Sequence, residues 1–136
     1  MSPDKILIID DDPDIALAAR LILEKAGYAV VEARSGAEGL KSVKAENPSL
    51  ILLDVMMESA TAGFQTALAL RSPDPKSEYT AYSKIPIIML TAVHETMPYR
   101  FSPDNSYLPV DAFLDKPVDA ATLLPAVTKL LAQGHG

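Results

Sequence analysis

The chain has no cysteine and no tryptophan, and only two histidines among its 136 residues. Without cysteine it can form neither a disulfide nor a thiolate metal site, and two histidines give little basis for a zinc site. No apolar run approaches the roughly 18 residues of a membrane span, and the N-terminus lacks the long apolar region of a signal peptide. We therefore expect a soluble, cytoplasmic protein with no membrane partner.

Positive charge is also scarce, because 12 Lys and Arg stand against 18 Asp and Glu, for a net charge of −6. A protein that binds a nucleic acid duplex needs a basic surface to neutralise phosphates, so we expect no direct nucleic acid partner. The length is typical of one domain that buries a core of its own. We interpret residues 1–136 as a single domain with a core of about 5–132.

Two stretches place carboxylates directly after an aliphatic run. Leu50–Leu53 leads into Asp54, and Ile6–Ile9 leads into Asp10–Asp12. An uninterrupted aliphatic run bounded by polar turns is typical of a strand that is buried on both faces of a sheet. The full set of predicted strands is Lys5–Asp10, Tyr28–Ala33, Ser49–Asp54, Ile85–Leu90 and Asp111–Asp115.

Helical patterns separate the strands. Asp12 and Pro13 form a strong start signal, and Ser35 with Glu38 has the spacing of a capping box. The predicted helices run from Pro13 to a stop at Gly27, from Ser35 to about Glu46, from Gly63 to about Arg71, and from Asp119 to about Ala132. The apolar face predicted for the first helix consists of Ile15, Leu17, Ala18, Leu21, Ile22 and Ala26. We expect a loop over 72–84, and at most one helical turn near 93–97 in the proline-broken stretch 93–110.

Strands that alternate with helices predict an α/β fold with a parallel sheet covered on both faces. Ligands of such sheets bind beyond the carboxyl ends of the strands. Five polar residues lie at those predicted ends: Asp10, Asp11, Asp54, Thr91 and Lys116. If the first and third strands are neighbours, their carboxylates converge at one edge.

Converging carboxylates repel each other, by roughly 4 kcal/mol per pair at about 4 Å and an effective dielectric near 20. A hard divalent cation offsets that repulsion, and a set of oxygen ligands fits Mg²⁺. Asp12 is better used as a helix cap, which leaves Asp10 and Asp11 for the cation. With the charge of Lys116 and the hydroxyl of Thr91, the site could stabilise a phosphoryl group in transfer to Asp54 as an aspartyl phosphate.

Each of these residues also has a simpler interpretation. An acidic run is often a solvated face or a helix cap, a threonine at a strand end is often structural, and a lysine is usually a surface residue. Their coincidence at predicted strand ends favours the functional interpretation. Phe113 could be an ordinary core residue without a switch role, and the aromatic residues of 93–110 could simply hold a loop to the core.

Four motifs in order resemble one known family, the response-regulator receiver domains (CheY-like) of two-component signalling. The matching segments are Ile6–Asp12, Leu52–Met57, Ile85–Ala92 and Phe113–Pro117. The resemblance extends from about Lys5 to Leu131. It implies a flavodoxin-like doubly wound sheet of five parallel strands in the order 2-1-3-4-5.

The resemblance also implies roles for individual residues. Asp54 would be phosphorylated by a sensor histidine kinase or phosphotransfer protein. Mg²⁺ would be held by Asp10, Asp11, Asp54 and the backbone carbonyl of Met56. Thr91 and Lys116 would contact the phosphoryl group, Phe113 would be an aromatic switch coupled to Thr91, and the Lys116–Pro117 peptide would be cis.

The chain departs from the family pattern at three places. Glu58 stands where a proline usually follows the acceptor motif, the connection 72–84 is longer than usual, and 93–110 is broken by prolines where the fourth helix should lie. We therefore expect that helix to be short or replaced by an irregular loop. A partner should then not dock, nor the chain dimerise, through that helix in the way common in the family.

The leading hypothesis is a stand-alone receiver that signals through phosphorylation-dependent contact with an unknown downstream protein. We expect this receiver to be a phosphoacceptor signalling protein and not an enzyme. The alternative is a receiver-fold interaction module that is never phosphorylated and works through 93–110. A third hypothesis is an enzyme of the same fold. It is disfavoured because Met56 occupies the place where an aspartyl-phosphate phosphatase needs a second Asp, and because the chain has no glycine-rich phosphate loop.

Overall fold

The computed structural model describes residues 4–54, 62–72, 74–91, 110–115 and 118–134. In chain order the elements are β1 (Lys5–Ile9), α1 (Pro13–Lys25), β2 (Ala29–Ala33), α2 (Gly36–Glu46), β3 (Leu50–Asp54), α3 (Ala62–Leu70), a 3₁₀ turn (Thr80–Tyr82), β4 (Ile87–Thr91), β5 (Ala112–Asp115) and α4 (Ala120–Gly134). The stretch 93–110, where we expect a short fourth helix or an irregular loop in its place, lies outside the described residues except for Val110.

All five strands form one parallel sheet in the order β2-β1-β3-β4-β5, as predicted. The central pair aligns Ile6 with Leu50 and Ile9 with Leu53. Because β1 and β3 are neighbours in this register, the residues that follow Ile9 lie beside the end of β3. The sheet therefore brings the two acidic stretches to one edge.

Alternate residues of the strands enter two apolar layers, one on each face of the sheet. The first layer holds Ile6, Ile8, Leu50, Leu52, Ile88 and Leu90 together with α1 and α4. The second holds Leu7, Ile9, Ile51, Leu53, Ile87 and Met89 together with α2 and α3. Since burying one such side chain contributes about 1.5–3 kcal/mol, these layers hold the strand ends firmly in place.

The exposed side of α1 differs from the prediction. Leu17 and Leu21 are 51% and 58% exposed, whereas Ala16, Ala19 and Leu23 are buried. Apolar residues occupy nearly every position from 15 to 23, so helical periodicity could not select the buried side. The small alanines allow the helix to approach the sheet closely, and the larger leucines are left at the surface.

Local signals set both ends of α2. The Ser35 hydroxyl accepts a hydrogen bond from the Glu38 N–H at 3.1 Å, as the capping pattern predicted, and Asn47 ends the helix with φ of 45°. Within the helix, a Cβ at Gly39 would overlap the side chain of Ile9. The absence of a side chain at Gly39 therefore permits α2 to pack directly on β1.

The long connection between α3 and β4 is docked on the second apolar layer. Tyr79 and Tyr82 pack against that layer. Lys44 of α2 forms an ion pair with Glu78, and its ammonium lies 5.2 Å from the centre of the Tyr79 ring. The predicted loop is thus largely irregular, but it is anchored to α2.

None of the described helices combines the length and the apolar character needed to cross a membrane.

Candidate functional site

Three carboxylates come together at the carboxyl edge of the sheet. One oxygen from each of Asp10, Asp11 and Asp54 lies within 4.8 Å of the others. Asp10 and Asp54 are buried, with 0% and 3% of their surface exposed, and Asp11 is exposed. The cluster follows from the β1–β3 pairing, because each aspartate stands where a buried strand ends.

Hydrogen bonds after β1 assign different tasks to consecutive aspartates. The Asp10 N–H donates to the Ala33 carbonyl at 3.0 Å, and an Asp10 carboxylate oxygen accepts from the Asp12 N–H at 2.9 Å. The Asp12 carboxylate in turn accepts from the Asp14 N–H at 2.9 Å and caps α1. Asp12 is therefore the helix cap, as expected, while Asp10 and Asp11 belong to the cluster.

Thr91 ends the neighbouring strand on the other side of β3. The backbone register pairs Asp54 with Leu90, so Thr91 is one residue beyond the position opposite Asp54. Thr91 is 5% exposed, and the register of β5 places Asp115 beside it. The described part of the sheet therefore brings Asp10, Asp11, Asp54 and Thr91 to a single edge.

Phe113 lies on β5 opposite Met89 and is half-buried against the second apolar layer. This position is compatible both with a core residue and with the proposed switch. The remaining predicted site features, Lys116, the Met56 carbonyl and the cis Lys116–Pro117 peptide, lie outside the described residues.

The donor set fits a hard divalent cation. Carboxylate oxygens are the ligands that Mg²⁺ prefers, and two of the three carboxylates are buried where an uncompensated charge is costly. The exposed Asp11 leaves the cluster accessible from solvent. At the same edge, the hydroxyl of Thr91 could donate a hydrogen bond to an oxygen of a group transferred to Asp54.

One long-range contact, at the amino-terminal end of β4 and β5, could not be predicted from the sequence. Arg71, just after α3, forms an ion pair with Asp111, just before β5, with 2.8 Å between guanidinium nitrogen and carboxylate oxygen. The two residues are 40 positions apart. A long-range pair of this kind leaves no periodic or local signal, and a single charge before a short strand is too common to be informative.

A doubly wound parallel sheet with a carboxylate cluster beyond its central strands defines a flavodoxin-like α/β protein with an acidic site at the strand ends. The response regulator receiver domain family matches residues 6–128, and the chain belongs to that family. It is thus a receiver domain of two-component signalling, a family of phosphoacceptor proteins that signal rather than act as conventional enzymes.

Two curated relatives illustrate the relationship. Protein PilH of Pseudomonas aeruginosa is 31% identical over 128 residues, which cover 94% of this chain and 98% of PilH. The transcriptional regulatory protein GlrR of Escherichia coli is 34% identical over 131 residues, which cover 96% of this chain. The chain spans only 27% of the length of GlrR.

A similar solved structure is the response regulator protein TrrA of Thermotoga maritima, in complex with Mg²⁺ and BeF. It has a TM-score of 0.73 and 28% sequence identity to this chain. The alignment covers 93% of this chain and 98% of TrrA.

Proposed function

We propose that this receiver domain accepts a phosphoryl group on Asp54 in a Mg²⁺-dependent reaction. A carboxylate oxygen of Asp54 forms a bond to phosphorus while the bond from phosphorus to a donor histidine nitrogen breaks. The product is an aspartyl phosphate, and the electron pair of the broken bond leaves with the histidine. The observation that carries the proposal is the cluster of Asp10, Asp11 and Asp54 at the carboxyl edge, with Thr91 on the adjacent strand.

Each residue of the site has a proposed task. Asp10 and Asp11, with Asp54 and the Met56 carbonyl, hold Mg²⁺, which when bound neutralises charge on the phosphoryl oxygens. Thr91 donates a hydrogen bond to the phosphoryl group, and Lys116 supplies a positive charge. Phe113 responds to the state of Thr91, and the Lys116–Pro117 peptide is cis. The complex of TrrA with Mg²⁺ and BeF supports this assignment, because that protein is similar along nearly its whole length.

The proposed function can be tested by incubating the purified protein with acetyl phosphate, with Mg²⁺ or with EDTA. We expect one acid-stable, hydroxylamine-sensitive phosphoryl group per chain with Mg²⁺ and none with EDTA. Beryllofluoride with Mg²⁺ should raise the melting temperature. If neither labelling nor a thermal shift occurs, the unphosphorylated interaction module becomes the better hypothesis, whereas steady turnover of a generic phosphate ester would favour an enzyme.

The proposed partner is a sensor histidine kinase or a phosphotransfer protein. Its phosphohistidine must reach Asp54, so its surface must cover the carboxyl edge and the start of α1. Leu17 and Leu21 lie one turn apart on the exposed side of that helix. An exposed apolar pair on the helix that starts at the acidic edge supports contact with a protein donor, because a small-molecule donor would gain nothing from it.

We therefore expect Leu17→Ser with Leu21→Ser to slow phosphotransfer from a cognate phosphohistidine protein on the order of tenfold, through lost apolar contact. Labelling by acetyl phosphate should be unchanged. Leu68→Ser is the matched control, because Leu68 is 56% exposed on α3, on the opposite face of the sheet. Equal loss with both donors, or equal loss in the control, would contradict this partner surface.

A further inference from the structure

β5 is a short edge strand whose alignment determines what lies next to Thr91. It has four residues, and among the described strands it pairs with β4 alone, from Ile88 opposite Ala112 to Thr91 opposite Asp115. Lys116 is the next residue in the chain. The alignment of β5 therefore sets where the chain leaves the sheet beside the phosphoryl site.

The sequence of β5 defines this alignment poorly. Ala112, Phe113 and Leu114 are consecutive apolar residues, so there is no alternation of polar and apolar side chains to penalise a slip. A slip of one residue would move the strand end by about 3.3 Å and turn Phe113 to the opposite face. Some interaction outside the strand must hold the alignment.

Asp111 supplies that interaction at the amino end of β5. Its N–H donates to the Ile87 carbonyl at 2.9 Å, and its carboxylate accepts from the Ile87 N–H at 2.8 Å. The same carboxylate oxygen accepts from the Arg71 guanidinium at 2.8 Å. Asp111 is thus fixed to the first residue of β4 through both its backbone and its side chain.

Arg71 is itself held in one orientation. Its other terminal nitrogen donates to the Ser83 carbonyl at 2.6 Å and to the Ile85 carbonyl at 2.7 Å. Its side chain is 20% exposed. Burial lowers the pKa of the Arg71 guanidinium, and the charge of Asp111 opposes that shift. The guanidinium therefore connects α3, the end of the docked connection and the start of β5.

We propose that Arg71 and Asp111 are positioning residues for phosphoryl transfer: together they lock the alignment of β5 on β4 and so place the end of β5 beside Thr91. The inference rests on the proposed function, since it assigns a task to residues that support the phosphoryl site from the amino-terminal ends of β4 and β5. Mg²⁺ binding should not depend on the lock, because Asp10 and Asp11 follow β1 and Asp54 ends β3. A loss of overall stability would instead lower the rate of phosphoryl transfer and the affinity for Mg²⁺ together.

The test compares Arg71→Gln and Asp111→Ala with wild type in two assays. We expect the rate of labelling by acetyl phosphate at saturating Mg²⁺ to fall by about ten- to a hundredfold, because a misplacement near 1 Å is enough for such a loss. The Mg²⁺ dissociation constant should stay within about twofold of wild type. Asp111→Asn keeps an acceptor for the Ile87 N–H and should fall between wild type and Asp111→Ala.

Arg20→Gln is the matched control, because Arg20 pairs with Glu32 of the opposite edge strand at 2.9 Å. It should change neither assay. Amide exchange should also rise at residues 112–115 in Arg71→Gln and remain low at residues 6–9. If labelling is normal in Asp111→Ala, or if Mg²⁺ affinity falls as much as labelling, the positioning role is wrong. Absence of labelling in wild type would instead count against the proposed function itself.

Discussion

Asp54→Asn is expected to reduce labelling by acetyl phosphate at least about a hundredfold, to the background of the assay. The amide lacks the carboxylate oxygen that forms the bond to phosphorus, so no aspartyl phosphate can form at this position. The side chain is 3% exposed, and Asn has nearly the same shape, so the fold should persist. Labelling measured by mass spectrometry and folding measured by circular dichroism separate these two consequences.

Asp12→Asn is the control for this result. It removes the same charge from the same edge, but Asp12 caps α1, and Asn is an equally good capping residue. Its labelling should match wild type. If Asp54→Asn retained normal labelling, the acceptor would lie elsewhere, and equal losses in both variants would point to net charge rather than to a nucleophile.

The fold could be predicted from sequence largely because its central strands are buried. Aliphatic runs that end in a charge, such as Leu50–Leu53 before Asp54, mark both the strand and its carboxyl end. The neighbouring positions of β1 and β3 then determine the acidic cluster. No side-chain geometry was needed to predict that Asp10, Asp11 and Asp54 would meet.

What the sequence did not predict depends on the balance of contacts between distant elements. In α1, both possible sides are apolar, so only the packing of Ala16 and Ala19 on the sheet decides that Leu17 is exposed. The start of β4 was predicted at Ile85, but the strand begins at Ile87. Pro86 lacks an N–H, and its carbonyl instead accepts a hydrogen bond from the Ile51 N–H at 2.9 Å.

The second large effect concerns Mg²⁺ and stability. The carboxylate oxygens lie within 4.8 Å of one another, and at that limit and an effective dielectric near 20 two carboxylates repel by about 3.5 kcal/mol, and less where one of them is exposed like Asp11. A bound divalent cation reverses that cost. A ligand that binds only the folded state, and is present at a hundred times its dissociation constant, raises the free energy of unfolding by about 2.7 kcal/mol. For a chain of this size, that corresponds to a rise of roughly 5–10 °C in melting temperature.

We expect Asp11→Asn to have opposite effects on the melting temperature without and with Mg²⁺. In EDTA the variant should melt at a higher temperature than wild type, because one charge of the cluster is gone. With Mg²⁺ the order should reverse, because the variant has lost a ligand and gains little from the ion. Thermal unfolding of both proteins in EDTA and across a Mg²⁺ titration measures the two halves of the prediction.

Two controls separate ion binding from general screening of negative charge. NaCl at matched ionic strength should raise the melting temperature of the wild type far less than Mg²⁺ does, because screening by salt does not depend on the cluster. Asp14→Asn removes an exposed charge from the first turn of α1 and should retain the full response to Mg²⁺. An equal response to Mg²⁺ in Asp11→Asn and wild type would mean that the ion is not held by this cluster. A lower melting temperature of Asp11→Asn in EDTA would mean that repulsion among the three carboxylates is already offset within the protein.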